Sequence, residues 1–97
     1  MIFKPAKASE VAIFASPWVS GFTVANFTDE GITAKLSFTL DTFDAVLTET
    51  IAALKRKAFA KGANTIIGFD LEIDATSEPL TVQASGRGCV LQSNVGQ

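Results

Sequence analysis

The sequence predicts an α+β domain in which one main helix packs on an antiparallel β-sheet, a two-layer sandwich of β-β-α-β-β order. Phe43, Leu47, Ile51, Leu54 and Ala58 recur at spacings of 4, 4, 3 and 4, one face of a helix. Ile32, Ala34, Leu36, Phe38 and Leu40 alternate with Thr33, Lys35, Ser37 and Thr39, the period of a half-buried strand. Phe69, Leu71 and Ile73 alternate in the same way with Asp70, Glu72 and Asp74. At 97 residues the chain has room for a single domain, 1–97, with one modest core.

Residues 1–9 carry Pro5 and mixed polarity and read as an N-terminal arm. Val11 to Ala15 is a short apolar run, a candidate buried strand that Pro17 punctuates. Trp18 to Phe27 is rich in Val, Phe and Thr and reads as a strand, with a bulge or close approach expected at Gly21. Thr28-Asp29-Glu30-Gly31 reads as a turn, and Ile32 to Leu40 as the next strand or extended arm.

Asp41 or Thr42 can N-cap the helix, a side-chain oxygen accepting an orphan backbone N–H. Asp44 and Glu49 lie in the first half; Lys55, Arg56, Lys57 and Lys61 lie in the second, an order that complements the helix dipole. The Lys55-Arg56-Lys57 run therefore reads as a solvated helix end ahead of an anion-binding patch. Gly62 stops the helix in the left-handed conformation. Val46 and Phe59 fall at the margins of the apolar stripe. Phe59 is expected in the core, with cover from another element or another chain as the alternative. Thr65 to Ile73 and Leu80 to Gln92 are expected to form an antiparallel hairpin across a turn at 77–79, and 93–97 a C-terminal tail.

Composition excludes several chemistries. The chain has no His and one Cys, so no Ser-His-Asp triad, Cys-His pair, His-ligated zinc or intramolecular disulfide can form. Cys89 sits in an apolar run and reads as a small buried hydrophobe. A net charge of -2 and no basic stripe argue against a nucleic-acid partner. No apolar stretch is long enough to span a bilayer. Glu10 and Pro17 interrupt the one run that could pass for a secretory signal, so a cytoplasmic protein is expected. Hydrophobic residues make up 47% and charged ones 19%, which excludes disorder and leaves more apolar surface than a small monomer readily hides.

One polar constellation stands out. Asp70, Glu72 and Asp74 share one strand face at about 6.5–7 Å intervals. Such a carboxylate ladder suits a hard cation such as calcium or magnesium. The plainer reading is a strand face turned to water. Repeated about an axis, the same face would make a ring of negative charge. Gly86-Arg87-Gly88 matches neither a P-loop nor a dinucleotide fingerprint, and Ser85 has no identifiable base. No catalytic set and no cofactor are expected, and the chain is not expected to be an enzyme.

The run from Lys61 through Gly62, Ala63, Asn64, Ile67, Gly68 and Asp70 to Glu72 is followed by Ala84-Ser85-Gly86. Together with Val19-Ser20-Gly21 and Ala25-Asn26-Phe27, these segments resemble the YbjQ-like family. That family carries a Gly-Ala-Asn run leading into a strand, then Ala-Ser-Gly. The resemblance covers residues 18–28 and 50–92 and implies a structural motif of Gly62, Ala63, Asn64, Gly68, Asp70, Ala84, Ser85 and Gly86. In that motif Ala63 and Gly68 would permit close helix-to-sheet packing, and Asn64 would bond backbone at the helix-to-strand turn. It further implies a subunit similar in kind to that of dodecin and a ring-forming oligomer, a homopentamer joined by short strands. The family bears a heavy-metal-binding label and no assigned biochemistry. This chain departs from it at Arg87, where the family has Thr, and at Ile32 to Leu40, where a basic stretch is missing. Soft metals prefer thiolate, thioether and imidazole, and the chain offers one Cys, one Met and no His. A metal ion, if bound, is therefore expected to be hard. The expected partner is a second copy of the chain, with Ile32 to Leu40 and the arm before Glu10 as candidate exchanged segments.

Overall fold

The computed structural model describes residues 2–76 and 78–94. Ser77 of the expected turn and residues 95–97 of the expected tail lie outside them. A single 3-10 turn at Ala8–Glu10 precedes β1 (Ala12–Ile13), β2 (Phe22–Phe27), β3 (Ile32–Phe38), α1 (Phe43–Ala60), β4 (Thr65–Asp74) and β5 (Leu80–Ser93). One helix packs against a five-stranded mixed sheet. The expected antiparallel sheet is corrected at β1, which runs parallel to β4 with Ala12 beside Thr65 and Ile13 beside Ile66. Two residues are too few for an alternation to declare their direction.

β5 is the spine. Its 14 residues, at about 3.4 Å each, account for most of the 51 Å long axis. β4 lies antiparallel along one edge. β2 and β3 share the other edge end to end, Phe27 beside Cys89 and Ile32 beside Gly86. Residues 28–31, expected as a turn, therefore do not reverse the chain. They jog it outward opposite Arg87, with the Gly31 N–H donating to Asp29 Oδ1 at 3.1 Å. Ile32 to Leu40, a candidate for exchange, is strand as far as Phe38 and belongs to the chain's own sheet. Its Ile32, Ala34 and Phe38 are buried.

The strand expected from Trp18 begins only at Phe22. Gly21 has φ +85 and open space around it, so it serves a turn and not a close approach. The β2 irregularity lies further on, between Val24 and Asn26.

The helix face of the sheet holds the main core. Leu54 and Ala58 pack with Val11, Ile32, Ala34, Ala63, Ile66 and Ala84. Thr50 is also fully buried there, tolerated because its hydroxyl donates to the Val46 carbonyl at 2.7 Å. On the opposite face a smaller cluster of Ile67, Cys89 and Leu91 is roofed by Val19 and Val24. Phe59, expected in the core, remains 36% exposed beside the arm.

Helix α1 starts at Thr42 as expected, but no side chain caps its N–H groups. The Thr42 hydroxyl instead accepts from the Thr39 N–H at 2.9 Å. The Thr39 hydroxyl donates to Asp41, and this bond, with the Asp41 backbone, holds that carboxyl below its ordinary range. The C-terminus follows the glycine signature. Gly62 at φ +89 lets its own N–H reach the Phe59 carbonyl and the Ala63 N–H reach that of Ala58. The basic run lies at the surface as expected, with Arg56 and Lys57 exposed, and it also makes contacts there. Lys55 donates to the Ser9 carbonyl, Lys57 to that of Thr33, and Arg56 pairs with Glu49.

Candidate functional site

The two halves of the motif meet in one place. Asp70 pairs across strands with Ser85 and Leu71 with Ala84. Between Ile67 and Asp70 the register shifts by one residue, and Gly68 sits in that bulge at φ +62. Gly68 is exposed, with nothing within 4 Å of a built Cβ. The expectation that it permits close helix packing is corrected: its role is conformational. Close approach falls to two glycines on β5. A Cβ on Gly86 would stand 2.4 Å from Ile66 Cγ2, and one on Gly88 would stand 2.8 Å from Thr28 Oγ1 and 3.5 Å from Ala63. The close backbone approach that Gly86-Arg87-Gly88 suggests in the sequence is found at both glycines, though the neighbours come from elements far along the chain.

Asn64 follows the helix stop and is 3% exposed. Its side-chain amide behaves like one more residue of β4. Nδ2 donates to the Leu91 carbonyl and Oδ1 accepts from the Leu91 N–H, both at 2.9 Å. Nδ2 also donates to the Phe3 carbonyl, and Oδ1 accepts from the Thr65 hydroxyl. The asparagine thus ties the arm, β4 and β5 together, well beyond the local turn bond expected of it. Ile2 bridges to Gln92 just past this clasp.

The carboxylates of Asp70, Glu72 and Asp74 lie exposed on the sheet face away from the helix. Their neighbours in register on β5 are Ser85, Gln83 and Thr81, and beyond those on β3 stand Thr33, Lys35 and Ser37. Asp74 Oδ1 accepts from the Thr76 N–H and hydroxyl. Among the described residues, no group of three or more His, Cys, Asp or Glu side chains is placed to hold a metal ion.

The same open face turns aromatic toward its other end. Phe3, Phe14 and Phe22 surround a groove of about 230 Å³ that reaches Thr65 and Leu91. The Arg87 guanidinium lies 3.5 Å over the Phe27 ring, a cation–π contact. Cys89 is buried beneath, and burial pushes its thiol pKa up while Arg87 pulls weakly the other way. The thiol is therefore neutral near pH 7 and a poor nucleophile. A groove of about 420 Å³ between the 3-10 turn and α1 presents Lys55 and Arg56 but no carboxylate. Asn64 and Gly62 line another of about 430 Å³ beside the arm. None of these three places a general acid opposite a general base. Among the described residues no helix is long and apolar enough to cross a membrane.

No family model and no curated protein matches the sequence. Among solved structures, the chain is similar to a protein of unknown function from Pediococcus pentosaceus that belongs to the DUF74 family. The TM-score is 0.50 at 21% identity, over 84% of this chain and 96% of that one. At that identity the likeness speaks for the fold.

Proposed function

We propose that the chain is a YbjQ-like module that works as a non-catalytic homo-oligomer, a pentamer, in the cytoplasm. DUF74 is a name of the same family. The fold likeness supports the assignment, and so does the meeting of the two motif halves at a single bulge. Every motif residue with a visible role there shapes backbone or packing, which fits a structural unit better than an enzyme.

The observation that carries self-association is large apolar residues left in water. Leu40 is 85% exposed, Trp18 66%, Phe3 55% and Ile73 50%. Leaving a side chain of this size in water forgoes roughly 1.5–3 kcal/mol of burial, so several together favour a protein partner. Light scattering on the purified protein is expected to give a species five times the 10.2 kDa chain mass. A stable monomer over the micromolar range would overturn the reading.

A further inference from the structure

We infer that neighbouring copies join head to tail through β3 of one chain and β4 of the next, the two strands running parallel. This rests on the homo-oligomer reading and names its contact. Among the described residues several strand edges lack a neighbour, the outer edges of β1 and β2 included, and two of them suit each other. One is the outer edge of β3. The other is β4 beyond Phe69, where β1 and its extension end with Gly68 N–H donating to Ser16 and Phe69 N–H to Phe14.

Backbone parity says what each edge offers. Phe69 turns its N–H away from β5, so Leu71 and Ile73 do the same, while Asp70, Glu72 and Asp74 turn inward. Paired in register, Ser85, Gln83 and Thr81 answer them, which leaves Ala84 and Val82 facing β3. Ala34 and Leu36 receive those, so Thr33, Lys35 and Ser37 point outward. The bond from Lys57 to the Thr33 carbonyl is consistent with that direction.

The outward residues of β3 carry side chains on the open face, whereas those of β4 carry side chains on the helix face. Antiparallel partners oppose outward residues whose side chains lie on the same face; parallel partners alternate them. With both helices on one side of a continuous sheet, β3 can therefore join a neighbour's β4 only in parallel. β3 and β4 already run in the same direction, since each is antiparallel to β5. A rotation that repeats the chain delivers the parallel pairing the parity demands, and head-to-tail repetition closes rings.

Charge selects this contact over its symmetric rivals. On the open face Lys35 would stand beside the neighbour's Asp70, Glu72 or Asp74. Pairing β4 with a second β4 would set carboxylates against carboxylates, and pairing β3 with a second β3 would bring Lys35 toward its copy. On the helix face the row of Leu71 and half-exposed Ile73 would continue into Leu36 and Phe38 of the neighbour.

The test compares wild type with Lys35→Glu, Lys35→Glu/Glu72→Lys and Ser37→Pro by native mass spectrometry and circular dichroism. Proline at 37 removes an outward N–H and spares the ladder to β5. Lys35→Glu is expected to weaken association about tenfold per contact, with the double reversal restoring it. Ser37→Pro is expected to give folded monomer. A wild-type oligomer that neither Lys35→Glu nor Ser37→Pro weakens overturns the edge pairing and leaves the oligomer reading standing. A wild-type monomer removes both.

Should these variants fold poorly, Lys35→Cys combined with a cysteine at 70, 72 or 74 decides. Within one chain, 35 and 72 stand two strand spacings apart, about 9.5 Å, beyond the roughly 7 Å a disulfide tolerates. Oxidation should therefore link different copies, giving a ladder of multimers on a denaturing gel for one of the three pairs. A ladder from none of them overturns the inference.

Discussion

Asn64 satisfies both backbone groups of Leu91 and the carbonyl of Phe3 from a side chain that is itself buried. Asn64→Ala removes the amide and keeps the chain, leaving those groups without partners. Each unsatisfied buried group costs about 1–3 kcal/mol, so urea unfolding should show a loss of about 3 kcal/mol. A loss below 1 kcal/mol would mean water replaces the amide. Thr28 presents the opposite case. Its buried hydroxyl has no hydrogen-bond partner among the described residues and rests against Gly88. Thr28→Val keeps the shape and deletes the unpaired group, so a gain of about 1 kcal/mol is expected in the same assay. The turn role of Asn64 was readable from its place after Gly62. Its grip on Leu91 was not, because it depends on a register that local sequence does not encode.

The bulge at Gly68 decides which side of the sheet the second half of β4 shows. Ahead of it Ile66 faces the helix and Ile67 the open face; beyond it Phe69 and Leu71 face the helix and the acids face out. Deleting Gly68 removes the inserted residue and the bulge together, so Ile67, Phe69 and Asp70 would pair regularly with Arg87, Gly86 and Ser85 and each side chain would keep its face. What is lost is the local bend and the Gly68 N–H bond to the Ser16 carbonyl. The cooperative thermal transition should therefore survive the deletion. Gly68→Ala keeps the count and strains only one residue at φ +62, costing about 1 kcal/mol. A deletion variant that melts without a cooperative transition would show that the fold requires the bend and not only the facing. The alternation of 69–74 and the Gly62 stop were both visible in the sequence, since each repeats or punctuates locally. The jog at 28–31 was not, because Asp, Glu and Gly there signal a change of direction without saying whether the chain reverses. The parallel β1 was hidden for want of length.

The whole molecule is long and thinly covered. Its radius of gyration is 14.6 Å, against about 12.5 Å for a compact chain of this length. Its surface is 5942 Å², against about 5,300 Å² for a folded monomer of its mass. The surplus approaches the roughly 800 Å² each partner gives to a standard interface. A single 18-residue helix covers one face of a sheet built on a 14-residue strand, so much of the other face is left to whatever the protein meets. If that is its own copies, folding and assembly are one equilibrium, and mass action sets the melting point. For a ring of several chains, each tenfold dilution should remove roughly 1 kcal/mol per chain and lower the midpoint by several degrees. Differential scanning fluorimetry from 1 to 100 μM, read through Trp18, measures this directly. A midpoint that stays constant across that range would mean the lone chain supports its own fold and the apolar face serves some other partner.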